Sequence, residues 1–274
     1  FMLDQVVVTS SKSDQVRRLS PSLVNVTPGK IFDAVGACSL ADGLSLQPGV
    51  RVENDCQNCG FTQVRINGLD GHYSQILMNS RPVFSALAGV YGLEHIPANM
   101  IERVEVMRGG GSALFGSSAV GGTINIITRD PVVNTARVSH QLTSIGISGA
   151  IDNNTTMNAS VVTDNSRAGI FIYGQSRSRD GYDHDGDGFT EVPQLKSQTL
   201  GARAFIRPGD ASRLTVEYHN THEYRRGGDN LKSPAHMAMV AEQADHNIHS
   251  FEATLDLWPR SHTDHVAVFA ATQS

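Results

Sequence analysis

The sequence predicts a chain in two parts, a small α+β domain followed by antiparallel strands of a transmembrane β-barrel. Three observations predict it. Ile101 to Asp130 sets two strand-like runs around a glycine-rich turn; the residues before it alternate short strand patterns with a short helical one; and after Asp130-Pro131 the chain becomes a series of alternating segments of roughly ten residues separated by turn chemistry.

The totals exclude several classes. The 274 residues carry 22 Lys+Arg against 27 Asp+Glu, a formal net charge of -5, with no basic block of the kind that tracks a phosphate backbone, so nucleic acid is not an expected partner. No run approaches the roughly 18 apolar residues of a membrane helix, and the start lacks the basic, apolar, small-residue order of a signal peptide. Phe1 is not an initiator Met, so the chain is expected to be processed or excerpted. A β-barrel needs no long apolar run, because lipid-facing and lumen-facing residues alternate. The three cysteines, Cys38, Cys56 and Cys59, are too few for a disulfide scaffold. Cys56-Gln-Asn-Cys59 fits a redox pair, half a zinc site or a local disulfide; no second C-x2-C exists, so zinc needs ligands from elsewhere, and a local disulfide is the first expectation with two free thiols second.

Taken in order, residues 1 to 20 open on LDQVVVTSSK, a β-branched run in polar surroundings that reads as an edge strand. LVNVTP is a short strand. Pro28-Gly29 opens a helical pattern in which Ile31, Val35, Leu40, Leu44 and Leu46 line one side, and Gly36 is expected to break it into two short helices. VRVEN follows Pro48-Gly49 as a strand. QVRIN and SQILMN alternate, with the Gly68 to Tyr73 turn between them. Arg81 to Asn99 is a loop of small residues with Phe84 and Tyr91, whose rings suit either packing or a flat ligand.

In IERVEVMR, Val104 and Val106 alternate with Arg103, Glu105 and Met107, and in TINIITR Ile124 and Ile126 oppose Asn125 and Ile127, the signature of half-buried strands. Six glycines lie between, at 109, 110, 111, 116, 121 and 122, so the backbone there is expected to visit positive φ or to approach another segment too closely for a Cβ. Gly111-x4-Gly116 has Walker A spacing, but Ser117 replaces the phosphate-reaching lysine, and Leu114 stands where a dinucleotide fingerprint needs its third glycine. A compact strand-turn-strand unit remains. IERVEVMRGGGSALFGSSAVGGTINIITRDP resembles the signature end of the plug domain of TonB-dependent outer-membrane receptors, with its R-V-E-V-x-R-G strand, S-A-L-x-G segment and G-G-x-I-N-I-I-T strand.

That resemblance implies a TonB box and linker over residues 1–20, a plug domain over 21–131 and barrel strands from 132 to 274. Asp4, Gln5, Val6, Val7, Val8 and Thr9 resemble the TonB box, an extended segment that the periplasmic energy coupler TonB captures by strand addition. The helix-then-LQPGV order is similar to the same plugs. Their R-I-x-G to I-D-G region forms an apical loop, which places Asp70, His72 and Tyr73 among the ligand contacts, with Phe84, Tyr91 and His95 on a second apex. Here Met78-Asn79-Ser80-Arg81 replaces the usual acidic and glycine residues.

Seven barrel segments are legible: ARVSHQLTSIG, TTMNASVVTDN, AGIFIYGQSRS, QTLGARAFIRP, RLTVEYHNTHE, NIHSFEATLDLW and DHVAVFAATQ. In the fifth, Leu214, Val216 and Tyr218 face lipid while Thr215, Glu217 and His219 face a wet lumen. Asp152 to Asn154, Pro208 to Asp210 and Pro259 to Ser261 are expected as short periplasmic turns, and Arg179 to Lys196 and Tyr224 to Asp245 as long outer loops. Plugged receptors have about 22 strands, so the chain is expected to be the N-terminal part of one.

Asp180 to Leu195 holds the best ligand density. Asp183, Asp185 and Asp187 before Gly188 reproduce the first half of an EF-hand loop, but Gln194 stands where the bidentate Glu should be, and no helices flank it. A hairpin-borne calcium site, with Asp180 and Glu191 adding oxygens, is the expectation. Cobalamin receptors of the resembled family carry a calcium-binding D-x-D-G-F loop after their third barrel strand, where Asp185 to Phe189 falls.

The resemblance therefore implies an outer-membrane importer of a metal complex, first cobalamin or another corrinoid. Haem is second, since His72 or His95 offers an imidazole and C-x2-C-G-F resembles a haem-uptake branch; a ferric siderophore is third. Expected partners are TonB, the metal complex, outer-membrane lipid and, as a further candidate, a surface lipoprotein; structural Ca2+ is the one expected cofactor. No catalytic group is expected: G-x-S-x-G and H-E-x-x-H are absent, which argues against the rival reading of a secreted calcium-binding hydrolase. A soluble calcium-binding β-protein is the other rival.

Overall fold

The computed structural model describes residues 6–11, 15–56, 60–82, 93–146, 149–259 and 264–274, without the side chains of Asp55 and Phe61. It divides into two units, one of Phe1–Cys56 with Phe61–Arg129, the other of Gln57–Gly60 with Asp130–Ser274.

In the first unit, strands β1 (Val6–Val7), β2 (Gln15–Val16) and β3 (Val24–Pro28) precede helices α1 (Gly29–Val35) and α2 (Leu40–Leu44). Pro28 opens α1, and Gly36, at φ 67°, closes it, so the single helical pattern does break in two. Asp42 then accepts from the Cys38 and Ser39 amides at 2.9 and 3.0 Å, satisfying donors at the start of α2. The buried side differs from the predicted one. Ile31, Val35 and Leu46 are exposed, whereas Phe32, Leu40 and Leu44 are buried. The reversal at Gly36 re-aims the second helix, and a Cβ on Gly43 would lie 1.9 Å from the Phe32 ring, so that glycine makes the seat in which Phe32 packs.

Strands β4 (Val50–Cys56) and β5 (Phe61–Ile66) form an antiparallel pair. β6 (Ser74–Met78), β7 (Arg81–Pro82), β8 (Ile101–Arg108) and β9 (Gly122–Thr128) join β3 in a five-stranded sheet of order β3-β8-β9-β6-β7, in which only β6 and β9 among these pairs run parallel. Between β8 and β9 the glycine run folds back on one helical turn, Ser112–Phe115. Gly109 and Gly116 take φ 90° and 93°, and a Cβ on Gly122 would lie 2.5 Å from the Met107 carbonyl, so positive φ and close approach both occur.

β8 and β9 are not half-buried. Glu105, Met107 and Asn125 are as buried as Val104, Val106, Ile124 and Ile126. The second face is covered by the N-terminal segment: Val7 belongs to one apolar cluster with Val24, Leu77, Met107, Phe115 and Ala119.

The second unit is a seven-stranded antiparallel meander, β10 (Thr135–Ile145), β11 (Ala150–Val162), β12 (Ala168–Arg179), β13 (Gln194–Gly209), β14 (Ser212–Gly228), β15 (Ala241–Leu257) and β16 (Val266–Gln273), each paired with the next. One turn departs from its expected place. Asp152 to Asn154 lies inside β11, and the first reversal is at 146–149, where Gly146 and Gly149 supply φ 60° and 82°. That reversal therefore shares an end with the long loops at 180–193 and 229–240, and the tight turn at 163–167 shares the other end with the turn after Gly209. The long loops are also shorter than expected, because β13 starts at Gln194 and β14 and β15 run for 17 residues each.

This sheet turns its apolar side outward. Ile170 and Ile172 are 44% and 43% exposed, while Phe171 and Tyr173, which alternate with them, are buried. Registers line the outward residues into rows, such as Val161-Ile170-Ala204-Val216-Ala253 and Ala159-Ile172-Ala202-Tyr218-Phe251. Farther along the same face, toward the long loops, the row His140-Thr155-Ser176-Gln198-His222-Asn247 is wholly polar. A band that is apolar outside and polar inside is what a lipid-spanning strand requires. No helix among the described residues is long and apolar enough to cross a membrane, which says nothing of strands.

Candidate functional site

Among the described residues, the N-terminal segment has little ladder. β1 pairs with β2 over two residues. Its main anchor is a side chain: Glu105 Oε2 accepts from the amides of Val8 and Thr9 at 2.9 and 3.0 Å and from Thr9 Oγ1 at 2.6 Å. Glu105 Oε1 accepts from Arg103 Nε at 2.9 Å, so a wholly buried carboxylate has its charge matched and its lone pairs used. Thr9 Oγ1 in turn accepts from Asn125 Nδ2 at 3.1 Å. Val6 to Thr9 of the expected coupling segment thus lie on the first unit; Asp4 and Gln5 lie outside the described residues.

Asp70, His72 and Tyr73 gather on one turn. Asn67 and Gly68 reverse the chain at positive φ, and Asp70 Oδ1 accepts from the Gly71 amide at 2.8 Å to start a short 3-10 turn, Gly71–Tyr73. His72 Nδ1 stands 3.5 Å from Asp70 Oδ2, and its ring centroid lies 4.0 Å from that of Tyr73. Both rings are exposed, the Tyr73 carbonyl being fixed by the Gly121 amide at 2.8 Å. The neighbouring carboxylate orients the ring, leaving its other nitrogen facing outward. His95 does not join them. It is buried, between Leu93 and Ile96 of the interior, because the carbonyl of Ile96 is drawn in by the Leu40 amide at 2.9 Å. Phe84 and Tyr91 lie outside the described residues.

In the second unit, Asp183, Asp185, Asp187 and Glu191 each offer a carboxylate oxygen, all within 4.8 Å of one another. Loop amides shape them: Gly186 and Gly188 donate to Asp183 at 2.7 and 2.9 Å, Phe189 to Asp187 at 2.8 Å, and His184 to Glu191. Four like charges this close repel one another unless a cation or solvent screens them, and hard oxygen donors suit calcium. Asp180 is not in the group; its carboxylate accepts from the Ile151 amide at 3.0 Å and ties the loop's base to β11. Cys56 ends β4, Cys59 lies outside the described residues, and the carbonyl of Gly60 accepts from Arg225 Nη1.

The polar inner face of the meander was expected from its alternation; the side-chain pairs that fill it were not. Arg177 makes a forked pair with Asp152 at 2.6 to 3.1 Å, Gln175 donates to Asn154 at 3.0 Å, Tyr173 meets His219 at 2.9 Å, and Arg225 pairs with Glu223 at 3.0 Å. The signal was available, since Tyr173, Gln175 and Arg177 alternate with Ile170 and Ile172 on β12, and His219, Glu223 and Arg225 with Leu214 and Tyr218 on β14. At the unit's start, burial works to raise the Asp130 carboxyl, yet the Arg203 and Arg213 guanidiniums at 2.6 and 2.9 Å outweigh it and hold it below the usual carboxylate range.

Residues 16–123 match the family described as TonB-dependent Receptor Plug Domain. The chain is 34% identical over 125 residues to a protein of Photobacterium profundum named vitamin B12 transporter BtuB, covering 46% of this chain and 20% of that one. It is 27% identical over 243 residues to the like-named protein of Vibrio vulnificus, covering 87% and 39%. The chain thus spans less than half the length of these relatives. Among solved structures, the siderophore receptor PirA of Acinetobacter baumannii superposes with a TM-score of 0.76 at 20% identity, covering 93% of this chain and 40% of that one. The ferripyoverdine receptor of the Pseudomonas aeruginosa outer membrane superposes with a TM-score of 0.72 at 14% identity, covering 92% and 34%. At these identities the superpositions speak for the fold alone.

Proposed function

From the premise that this chain carries the plug domain of the TonB-dependent receptors, followed by strands of their plugged outer-membrane barrel, we propose that it works in active import of a metal complex, with a corrinoid such as cobalamin as the cargo. The observation that carries the cargo is the convergence of Asp183, Asp185, Asp187 and Glu191 on a loop between β12 and β13, in a chain whose relatives are named vitamin B12 transporters. In this reading the four carboxylates hold Ca2+ and thereby stiffen the loop, while Asp70, His72 and Tyr73 supply polar and flat contacts to the cargo. The N-terminal segment is the handle for TonB, and lipid covers the apolar rows of the meander.

No bond of the cargo is made or broken, so the chemistry is binding, release and exclusion. Binding shifts the plug between states that hold or release the segment, and the cargo moves that balance only by its differential affinity for them.

A second reading, haem uptake, rests on His72, whose exposed imidazole is oriented by Asp70. Titrating the full-length receptor with cyanocobalamin and with haem, each with and without a calcium chelator, separates the two. Corrinoid binding that weakens at least tenfold on chelation is expected. Haem binding alone, unmoved by chelation, overturns the corrinoid reading.

A further inference from the structure

We propose that Glu105 and Asn125 act as a catch for the N-terminal segment, releasing or holding Val8 and Thr9 according to the state of the turn between β6 and β7. The inference rests on the importer reading above for its purpose, but its geometry stands apart from the identity of the cargo.

Three observations carry it. First, among the described residues, beside the apolar seat of Val7, the polar hold on Val8 and Thr9 gathers at one oxygen: Glu105 Oε2 accepts three donors from them, whereas β1 and β2 share a two-residue ladder. A ladder releases one bond at a time; a single acceptor lets go of three donors together. Second, the acceptor is a buried carboxylate whose other oxygen is already occupied by Arg103. Leaving Oε2 without donors inside the sheet is unfavourable, so the docked arrangement is favoured until water or another donor replaces the segment.

Third, the segment's hydroxyl is wired to a distant turn. Asn125 Nδ2 donates both to Thr9 Oγ1 at 3.1 Å and to Ser80 Oγ at 3.0 Å, and Asn125 Oδ1 accepts from the Ser80 amide at 2.8 Å. Asn79, the preceding residue, donates to Thr128 Oγ1 at 3.0 Å and accepts from the Thr128 amide at 3.1 Å, pinning the turn to β9 on its other side. Asn79 and Ser80 both sit at positive φ, 49° and 67°, where non-glycine residues are strained, so this turn holds its shape through those bonds. A turn that loses the Asn125 bonds would relax, and an Asn125 amide that turned to follow it would leave Thr9. Glu105 and Asn125 are positioning residues: they touch the segment and the turn, not the cargo.

The test uses the full-length receptor in detergent and reads amide hydrogen exchange of residues 6–11, which a merely structural role for the sheet would not single out. Thr9→Val changes only the segment side of the catch and leaves the sheet intact; Glu105→Gln keeps the shape of the acceptor and removes its charge. Both are expected to speed exchange of residues 6–11 at least tenfold, with β8 and β9 unchanged, and to raise binding of the soluble periplasmic domain of TonB in the absence of cargo. Ser80→Ala is expected to speed the same amides about threefold. Exchange within twofold of the parent in Thr9→Val and Glu105→Gln overturns the catch, as does an equal rise throughout β8 and β9. An unmoved Ser80→Ala overturns the link to the turn. If no form binds the TonB domain, the importer reading fails while the exchange result still decides the catch.

Discussion

Strands β8 and β14 are written with the same two-residue alternation and are buried in opposite senses. In β8, Val104 and Val106 are in the interior, and Glu105 between them is buried as well. In β14, Leu214 and Tyr218 are exposed, while Thr215, Thr221 and Glu223 are buried. Alternation therefore states that a strand has two unlike faces; what lies against each face is decided by the rest of the chain. The first unit uses its N-terminal segment as a second cover, so a carboxylate becomes interior and needs three donors of that segment and one guanidinium. The second unit uses hydrogen-bonded polar pairs as its interior and leaves its apolar rows for lipid.

The sharpest way to break this comparison is to truncate a buried ring in the first unit. Phe32→Ala empties the seat beside Gly43 and is expected to cost about 3–5 kcal/mol, read as an earlier loss of exchange protection in β3, β8 and β9 during urea titration of the full receptor, with the meander unmoved. Next in size, Ile172→Arg places a charge in the middle of the outward apolar rows and is expected to cost about 2–4 kcal/mol in lipid, read by folding yield into vesicles. If Ile172→Arg folded as well as the parent in vesicles, the outward face would not be a lipid face. The smallest effect is at the neck of the 229–240 loop, where Val240 and Met239 amides donate to Asp229 at 2.8 and 3.3 Å and hold its carboxyl below its ordinary value. A depressed carboxyl adds stability above its unfolded value of about 3.9 and loses it as pH falls through the folded value. Proteolytic nicking of this loop should therefore rise only below about pH 4, and Asp229→Asn should raise it at neutral pH.

The longer strands of the first unit and all those of the second were legible one by one, because period-two runs and glycine turns are local signals; the order in which the first unit's strands pair was not read from the sequence. The helix pair was legible in number but not in facing: Ile31 and Val35 fit the apolar spacing, yet Phe32 is the residue with a partner, and that partner is the absence of a side chain at Gly43. Asp152 to Asn154 reads as a turn because Asp and Asn favour turns, whereas here Asp152 and Asn154 face inward to Arg177 and Gln175. His95 falls in the Arg81 to Asn99 stretch that reads as a second apex, but burial takes it to the interior. The clustering of Asp183, Asp185, Asp187 and Glu191 was legible, though not the place of Asp180 outside it, since these carboxylates lie within nine consecutive residues and need no tertiary partner to meet. Glu105 was not: its role depends on donors 96 and 97 positions away in the chain.

The outward rows also act as a protractor. The uppermost large apolar side chains on β15, β13 and β10 are Phe251, Leu200 and Leu142. Carried along the registers, Leu200 stands two residues above Phe251, and Leu142 four above Leu200. A climb of about 20 Å over five strand spacings of about 4.8 Å inclines the oil-water boundary by about 40° to the hydrogen-bonding direction, and hence the strands by about the same angle to the bilayer normal. That is the slope at which an outer-membrane wall is wound, written into the apolar side of the sheet.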